Sequence, residues 1–333
     1  MISAVRLMVR APRWLPVVMA VMLSLTACAQ QAGSRLPETG LDLAPVDSWQ
    51  SPLYTGHPLV GTIWSGREGR PISVSALAEN LVNSRYLLLG EKHDNPDHHR
   101  IQQRLLRFLL DRELVASVSF EMLDTDNDGP LSNLERQHAE TLDSLKNALQ
   151  WDEQGWDWSY YGPLIAEPVA AGVEVKSANI SSARVSEVYA SQPDPEIAGV
   201  LDADALEQLN SEIDASHCNM LPTSQFPAMV RVQQARDRQM ALSLGHRELA
   251  GKLNVLVAGN YHVRRDLGVP RYLVALQPGV EPDSVVSLAL LEVSPESEEP
   301  EDYLQAFSDE LPFDYIWFTP AISDEDYCAS LAR

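Results

Sequence analysis

Five residues combine types and positions that could do chemistry: Glu91, His93, Glu121, Arg236 and His262. Glu91 and His93 belong to Gly90-Glu91-Lys92-His93, and His262 ends a second tetrapeptide of the same form, Gly259-Asn260-Tyr261-His262. A lone Gly-x-x-His means nothing; two of them, each closing an apolar run of strand length, are a more specific signal. Two chemistries fit. Neutral imidazole and carboxylate can bind a transition metal or act as a general base on an ester or amide, with Arg236 steadying an oxyanion. Alternatively, arginines can hold the propionates of a porphyrin while a histidine or tyrosine meets the iron. Arg264 and Arg265 follow His262 at once and place cations near the same edge.

The elements that must position these groups are short buried strands. Residues 86–89 form an apolar run that ends at Gly90, and Asn95-Pro96-Asp97 reads as the capped start of a helix whose apolar stripe is Ile101, Leu105 and Leu109. His93, His98 and His99 crowd this strand–loop–helix unit. In an open parallel sheet, ligands bind outside the carboxyl ends of strands, where Glu91 and His93 would sit. Residues 115–122 repeat the pattern and deliver Glu121, residues 173–180 read as a strand, and residues 254–258 are another strand, delivering Gly259. Residues 285–293 and 315–319 close the set of strands. Expected helices cover 131–149, 163–171 and 222–246, with 191–216 as surface loops and short helices. In the last long helix Met229, Val232, Arg236 and Met240 share a face, so Arg236 interrupts an apolar stripe and needs a partner or a ligand unless it reaches the helix edge. The aromatic segment Trp151, Trp156, Trp158, Tyr160, Tyr161 reads as core or lid packing. The expected fold is a single α/β domain over 55–333, with a mostly parallel central sheet flanked by helices and the paired Gly-x-x-His motifs at strand ends.

Residues 1–27 read as a leader: Arg6, Arg10 and Arg13 precede an apolar stretch, 15–25, too short to span a bilayer. Leu25-Thr26-Ala27-Cys28 resembles the cleavage site of bacterial lipoprotein precursors, implying a diacylated Cys28; the alternative is an ordinary cleaved signal that contains a cysteine. Ala29 is not an inner-membrane retention aspartate, so the resemblance implies the outer membrane, facing the periplasm or the surface, with 28–54 as lipidated cysteine and tether. The formal charge of −22 argues against nucleic acid and against docking on anionic lipid. Cys218 and Cys328 remain for an oxidising compartment; either they form one disulfide, or Cys218 with neighbouring His217 lines the site as a free thiol.

Asp124, Asp126, Asp128 and Glu135, with Gly129 between them, fit the spacing of an EF-hand calcium loop. A strand rather than a helix precedes it, so an acidic turn before a helix is the competing reading. A bound calcium there would be structural.

The stretches LLLGEKHDNPDHH, FEML, SHCNMLP, QQARDRQMA and AGNYHVRRDLGVP look like the ChaN-type haem-binding lipoproteins of the Tiki/erythromycin-esterase-like superfamily. The resemblance covers about residues 55–333. It implies haem as ligand, haem or iron acquisition as role, a homodimer, and the histidines and glutamate matched here by His93, His262 and Glu121. His98, His217, Tyr261, Arg264 and Arg265 join the expected haem-binding set, with Tyr261 and the pair Tyr160, Tyr161 as candidates for the iron tyrosine. Some superfamily relatives are hydrolases, certain ones metal-dependent, which keeps a Glu/His hydrolase as the alternative.

Overall fold

A computed structural model describes residues 48–245, 251–305, 311–325 and 328. The leader, Cys28 and most of the tether lie outside the described residues. Strand β1 (Ile63–Ser65) and β2 (Arg70–Ile72) form a hairpin, then α1 (Val74–Leu81) leads to β3 (Tyr86–Glu91). Helix α2 (Pro96–Leu110) connects to β4 (Val115–Asp124), followed by the short α3 (Asp128–Ser132), then α4 (Leu142–Leu149) and α5 (Trp158–Ala171). Next come β5 (Glu174–Asn179), α6 (Ser182–Ala190), α7 (Ala203–Ser216) and α8 (Phe226–Leu244). The chain closes with β6 (Leu253–Gly259), α9 (Val269–Leu276), β7 (Val285–Glu292), α10 (Pro300–Gln305) and β8 (Tyr315–Thr319).

The strands form one sheet in the order β2-β1-β8-β7-β3-β6-β4-β5, parallel from β8 to β5, with the β1–β2 hairpin added antiparallel at one edge. Tyr86 and Leu88 share a core with Met240, Leu244, Tyr272 and Leu273, which places α8 and α9 on one face. Side chains alternate along a strand, so Leu87 and Leu89 turn to the other face, where α2 and α5 pack together. The path from β3 runs through β4 to β5 on one side, whereas the path from β6 runs through β7 to β8 on the other. Adjacent β3 and β6 therefore flank a topological switch point, where the outgoing connections part and leave a crevice at the carboxyl ends.

The expected single mostly parallel α/β domain is what the chain forms. Its details differ in instructive places. Strand β3 runs two residues past Leu89 to Glu91, and β4 runs to Asp124. The expected helix over 131–149 is broken: α3 stops at Ser132, and Thr141 caps α4 afresh by accepting from the Ser144 N–H. Helix α5 starts before Pro163, because the Asp157 side chain accepts from the Ser159 N–H and caps it there. Within 191–216 the chain makes a full helix, α7, capped by Asp202. The domain also begins earlier than residue 55. Ser51 is fully buried, its N–H donates to Asp97 at 2.8 Å, its hydroxyl to Asn95 at 2.9 Å, and Leu53 bridges to Ala321.

Cys218 and Cys328 form a disulfide, with Cα atoms 5.3 Å apart, so Cys218 is not a free thiol. The calcium expectation is corrected. The Asp124 side chain accepts from the Asp126 N–H and Asp128 accepts from the Ser177 hydroxyl, while residues 125–132 coil into helical turns instead of a ligand loop. Asp124, Asp126, Asp128 and Glu135 are thus not gathered around one point, and among the described residues no His, Cys, Asp and Glu group is arranged to hold a metal. Among the described residues no helix is long and apolar enough to cross a membrane.

Candidate functional site

Glu91 and Gly259 are partners in the β3–β6 register, so the two Gly-x-x-His tetrapeptides leave the sheet side by side. A cleft of about 730 Å³ opens over their ends. Glu91, His93, Glu121, Arg236, Tyr261 and His262 all line it, together with Asp237, Gln233, Asn260 and Trp156.

The carboxylate of Glu91 is buried and organises the first half of the site. Tyr161 Oη donates to its Oε1 at 2.7 Å, His93 Nδ1 lies 2.9 Å from the same oxygen, and His99 Nδ1 lies 3.0 Å from Oε2. Burial alone would oppose ionisation, but His99 and His93 outweigh it and hold Glu91 well below the usual carboxylate range. Burial depresses the His93 pKa, yet Glu91 and Glu121 override this and raise it. With Nδ1 facing Glu91, His93 has Nε2 free for the cleft, and its side chain is 42% exposed. Its ring meets Trp156 edge-on at 4.9 Å between centroids.

The second half is deeper. His262 Nδ1 lies 2.6 Å from Asp237 Oδ1, and its Nε2 lies 3.4 Å from Glu121 Oε1. Burial pulls an imidazole down, but Glu121 and Asp237 together push His262 up to about 10. Glu121 is opposed by burial and lowered to about 2 by His262, His93 and the Gly259 N–H, which donates to its Oε2 at 2.7 Å. For Asp237, burial is the larger influence and raises it, with His262 opposing. At neutral pH His262 is held as an imidazolium between Glu121 and Asp237. Both its ring nitrogens are engaged.

Arg236 is the other distinctive group. Asp237, its neighbour in sequence, faces His262, and no carboxylate pairs with Arg236 among the described residues. Its Nε is buried without a hydrogen-bond partner while the side chain lines the cleft. Among the described residues the cleft therefore presents a guanidinium without an ion-pair partner, beside apolar walls contributed by Leu209, Ile213, Leu267 and Leu291.

Other expected ligands lie elsewhere. His98 is fully buried, its Nδ1 accepting from the Lys92 N–H at 2.8 Å and its Nε2 meeting Thr319 Oγ1 at 2.8 Å. Burial lowers it to about 3, so it is a neutral structural link between loop and strand. His217 follows α7 and its Nδ1 donates to the Ile213 carbonyl at 2.6 Å, outside the lining of the cleft. Arg264 is fully buried and ion-paired with Asp266 and Glu212, and Arg265 reaches Asp314 at 2.8 Å. The cations expected from sequence at this edge are already neutralised; Arg236 is not. Tyr261 is 55% exposed at the cleft.

Asp237, His99 and Gln233 were not singled out as site residues. Asp237 had a readable signal: Gln233 and Asp237 are four apart on α8, hence on one helix face, beside the already conspicuous Arg236. His99 differs from His98 only in helical phase, which assigns it to Glu91 and to stacking on Tyr160 at 4.6 Å.

An α/β protein with an acid–imidazole cleft at the switch point of a parallel sheet is the class these features define. The family described as haem-binding uptake, Tiki superfamily, ChaN, matches residues 77–273, and the chain belongs to it. Among solved structures it is similar to ChaN of Campylobacter jejuni, described with cofacial haem binding, at 24% identity and a TM-score of 0.62 over 77% of this chain and 95% of that one. An erythromycin esterase, EreC, in its open conformation aligns at 13% identity and a TM-score of 0.42 over 76% of this chain and 94% of that one. No curated protein sequence matches the chain significantly.

Proposed function

We propose that this chain binds haem in the cleft at the β3–β6 switch point, anchored to the bacterial outer membrane through an acylated Cys28, and serves haem uptake or handling. The observation that carries the reading is Arg236: an unpaired guanidinium beside apolar walls suits a flat apolar ligand that bears carboxylates. The cleft volume, about 730 Å³, lies within the range of roughly 300–1,000 Å³ common for small-molecule sites. Arg236 would hold a propionate, and Tyr261 and His93, the latter through Nε2, would meet the iron. Bound haem would supply an iron centre, and Tyr261 and His93 are the side chains that would hold it. A homodimer meeting at the open mouth of the cleft, with Tyr261 at the contact, is part of the same proposal.

A haemin titration of the folded domain, followed by absorbance, tests this. The expected result is a saturable Soret shift, weakened in Arg236→Gln and altered in position in Tyr261→Phe or His93→Ala. No saturable shift would remove the reading. Mass measurement of the mature protein tests the anchor: diacylglycerol on Cys28 is expected.

A hydrolase is the second reading, favoured by the Glu91–His93 arrangement. A buried carboxylate fixes Nδ1 of a half-exposed imidazole and leaves Nε2 in the cleft, the geometry of an oriented general base. Turnover of an ester or amide panel that is lost in Glu91→Gln, with haem binding retained, would establish it.

A further inference from the structure

A second cavity, of about 320 Å³, opens on the other side of α8 from the cleft. Arg184 of α6 and Arg231 and Arg238 of α8 line it, against a single acid, Asp194. In a chain of net charge −22 such a grouping runs against the background. Arg184 pairs with Glu187 at 2.9 Å and Arg238 with Glu196, both at the exposed rim. Arg231 has no carboxylate among the described residues; its guanidinium donates to the Pro227 and Tyr189 carbonyls, each at 2.9 Å, the latter at the end of α6.

Gln234 makes this more than a surface cluster. It is 6% exposed, lines the cavity, and its Nε2 has no hydrogen-bond partner. Arg238 Nε is buried and unpartnered as well. The Gln234 amide also interacts with the Tyr272 hydroxyl, whose oxygen is itself unsatisfied. Turning the amide over lets that hydroxyl donate to Oε1 and leaves the NH2 group seeking an acceptor. A buried donor without an acceptor costs about 1–3 kcal/mol, and Gln234 Nε2 and Arg238 Nε are both donors. Guanidinium forks match the oxygens of a phosphate, and Val188 and Ile197 add an apolar wall.

We propose that this cavity binds a small organic phosphate, its phosphoryl oxygens taken by Arg184, Arg231, Arg238 and the Gln234 amide and its carbon part by Val188 and Ile197. The volume, about 320 Å³, accommodates a ligand of that size. Because α8 also carries Arg236 and Asp237 into the cleft, the two sites share one helix while using different side chains.

Calorimetric titration of the folded chain with phenyl phosphate and with inorganic phosphate tests the site. Saturable binding is expected for both, tighter for phenyl phosphate, weakened by about tenfold or more in Arg184→Gln and in Arg238→Gln, and unchanged in Arg236→Gln. The Arg184 side chain is largely exposed and among the described residues bonds to Glu187 alone, so Arg184→Gln keeps its melting temperature and reports on binding alone. No saturable binding in the millimolar range, equal affinity in Arg184→Gln and the unmodified chain, or loss confined to Arg236→Gln would each overturn the proposal. Equal affinity for the two phosphates would overturn the organic part of the assignment.

Discussion

Glu91 and Gly259 stand opposite one another in the β3–β6 register, and this one pairing brings both imidazoles to a common crevice. Each glycine of the paired motifs is there for close approach. A Cβ on Gly90 would fall 2.4 Å from Asn260 Oδ1 and 2.5 Å from Val263 Cγ2, inside the fold. A Cβ on Gly259 would fall 3.0 Å from His93 Nε2, at the half-exposed ring that faces the cleft. Gly90→Ala is therefore expected to destabilise the protein by roughly 1–3 kcal/mol, the usual cost of overpacking, in urea denaturation. Gly259→Ala is expected to leave stability nearly intact and to change ligand affinity instead. Equal stability losses in the two variants would contradict this division.

The buried ion cluster gives stability a defined pH profile. His262 is raised from 6.5 to about 10, so its contribution is complete below pH 6.5 and fades as pH rises towards 10. Glu121 is lowered from 4.5 to about 2, so its contribution is complete above pH 4.5 and fades as pH falls towards 2. Both are whole only between those limits, and denaturation midpoints measured across pH should show the plateau there. In His262→Gln the alkaline decline should shrink, since a neutral amide has no proton to lose.

The placement of Glu91, His93 and His262 at the ends of β3 and β6 was legible because a short apolar run ending in glycine has few other uses, whereas Glu121, expected to end its strand, sits within β4, which runs on to Asp124. The anchors of the porphyrin reading were less so. Arg264 and Arg265 follow His262 directly, yet their charges are spent on Asp266, Glu212 and Asp314, residues brought close only by tertiary structure. His98 and His99 differ by one residue of helical phase, which decides burial against Thr319 or contact with Glu91. The acidic loop 124–135 matched a spacing but not a backbone, because Asp124 closes a tight turn on itself. Spacing states which oxygens are available; capping decides where they point.

The disulfide ties the turn after α7 to a residue 110 positions later, near the end of the chain. Closing so long a loop removes much freedom from the unfolded chain, worth roughly 2–5 kcal/mol in measured cases. Reduction, or Cys218→Ser with Cys328→Ser, should lower the urea midpoint accordingly. Because Glu212, Ile213 and Ser216 of α7 line the cleft, ligand affinity should fall with it. An unchanged midpoint under reductant would show that the C-terminal segment is held by other contacts.

Arg236 separates binding from stability most cleanly. A partly buried cation without a counter-ion adds nothing to the fold, so Arg236→Gln should leave the melting temperature unchanged or slightly higher. If the cation holds a ligand carboxylate, its loss should weaken haem by about 10- to 100-fold, the scale of one charge-assisted hydrogen bond of roughly 1.5–3 kcal/mol. Arg265→Gln is the matched control. It deletes a guanidinium already committed to Asp314, so it should lower stability and spare affinity. A reversal of these two outcomes would mean that the carboxylates of the ligand lie at the Arg265 edge of the sheet and that the cleft guanidinium serves another purpose.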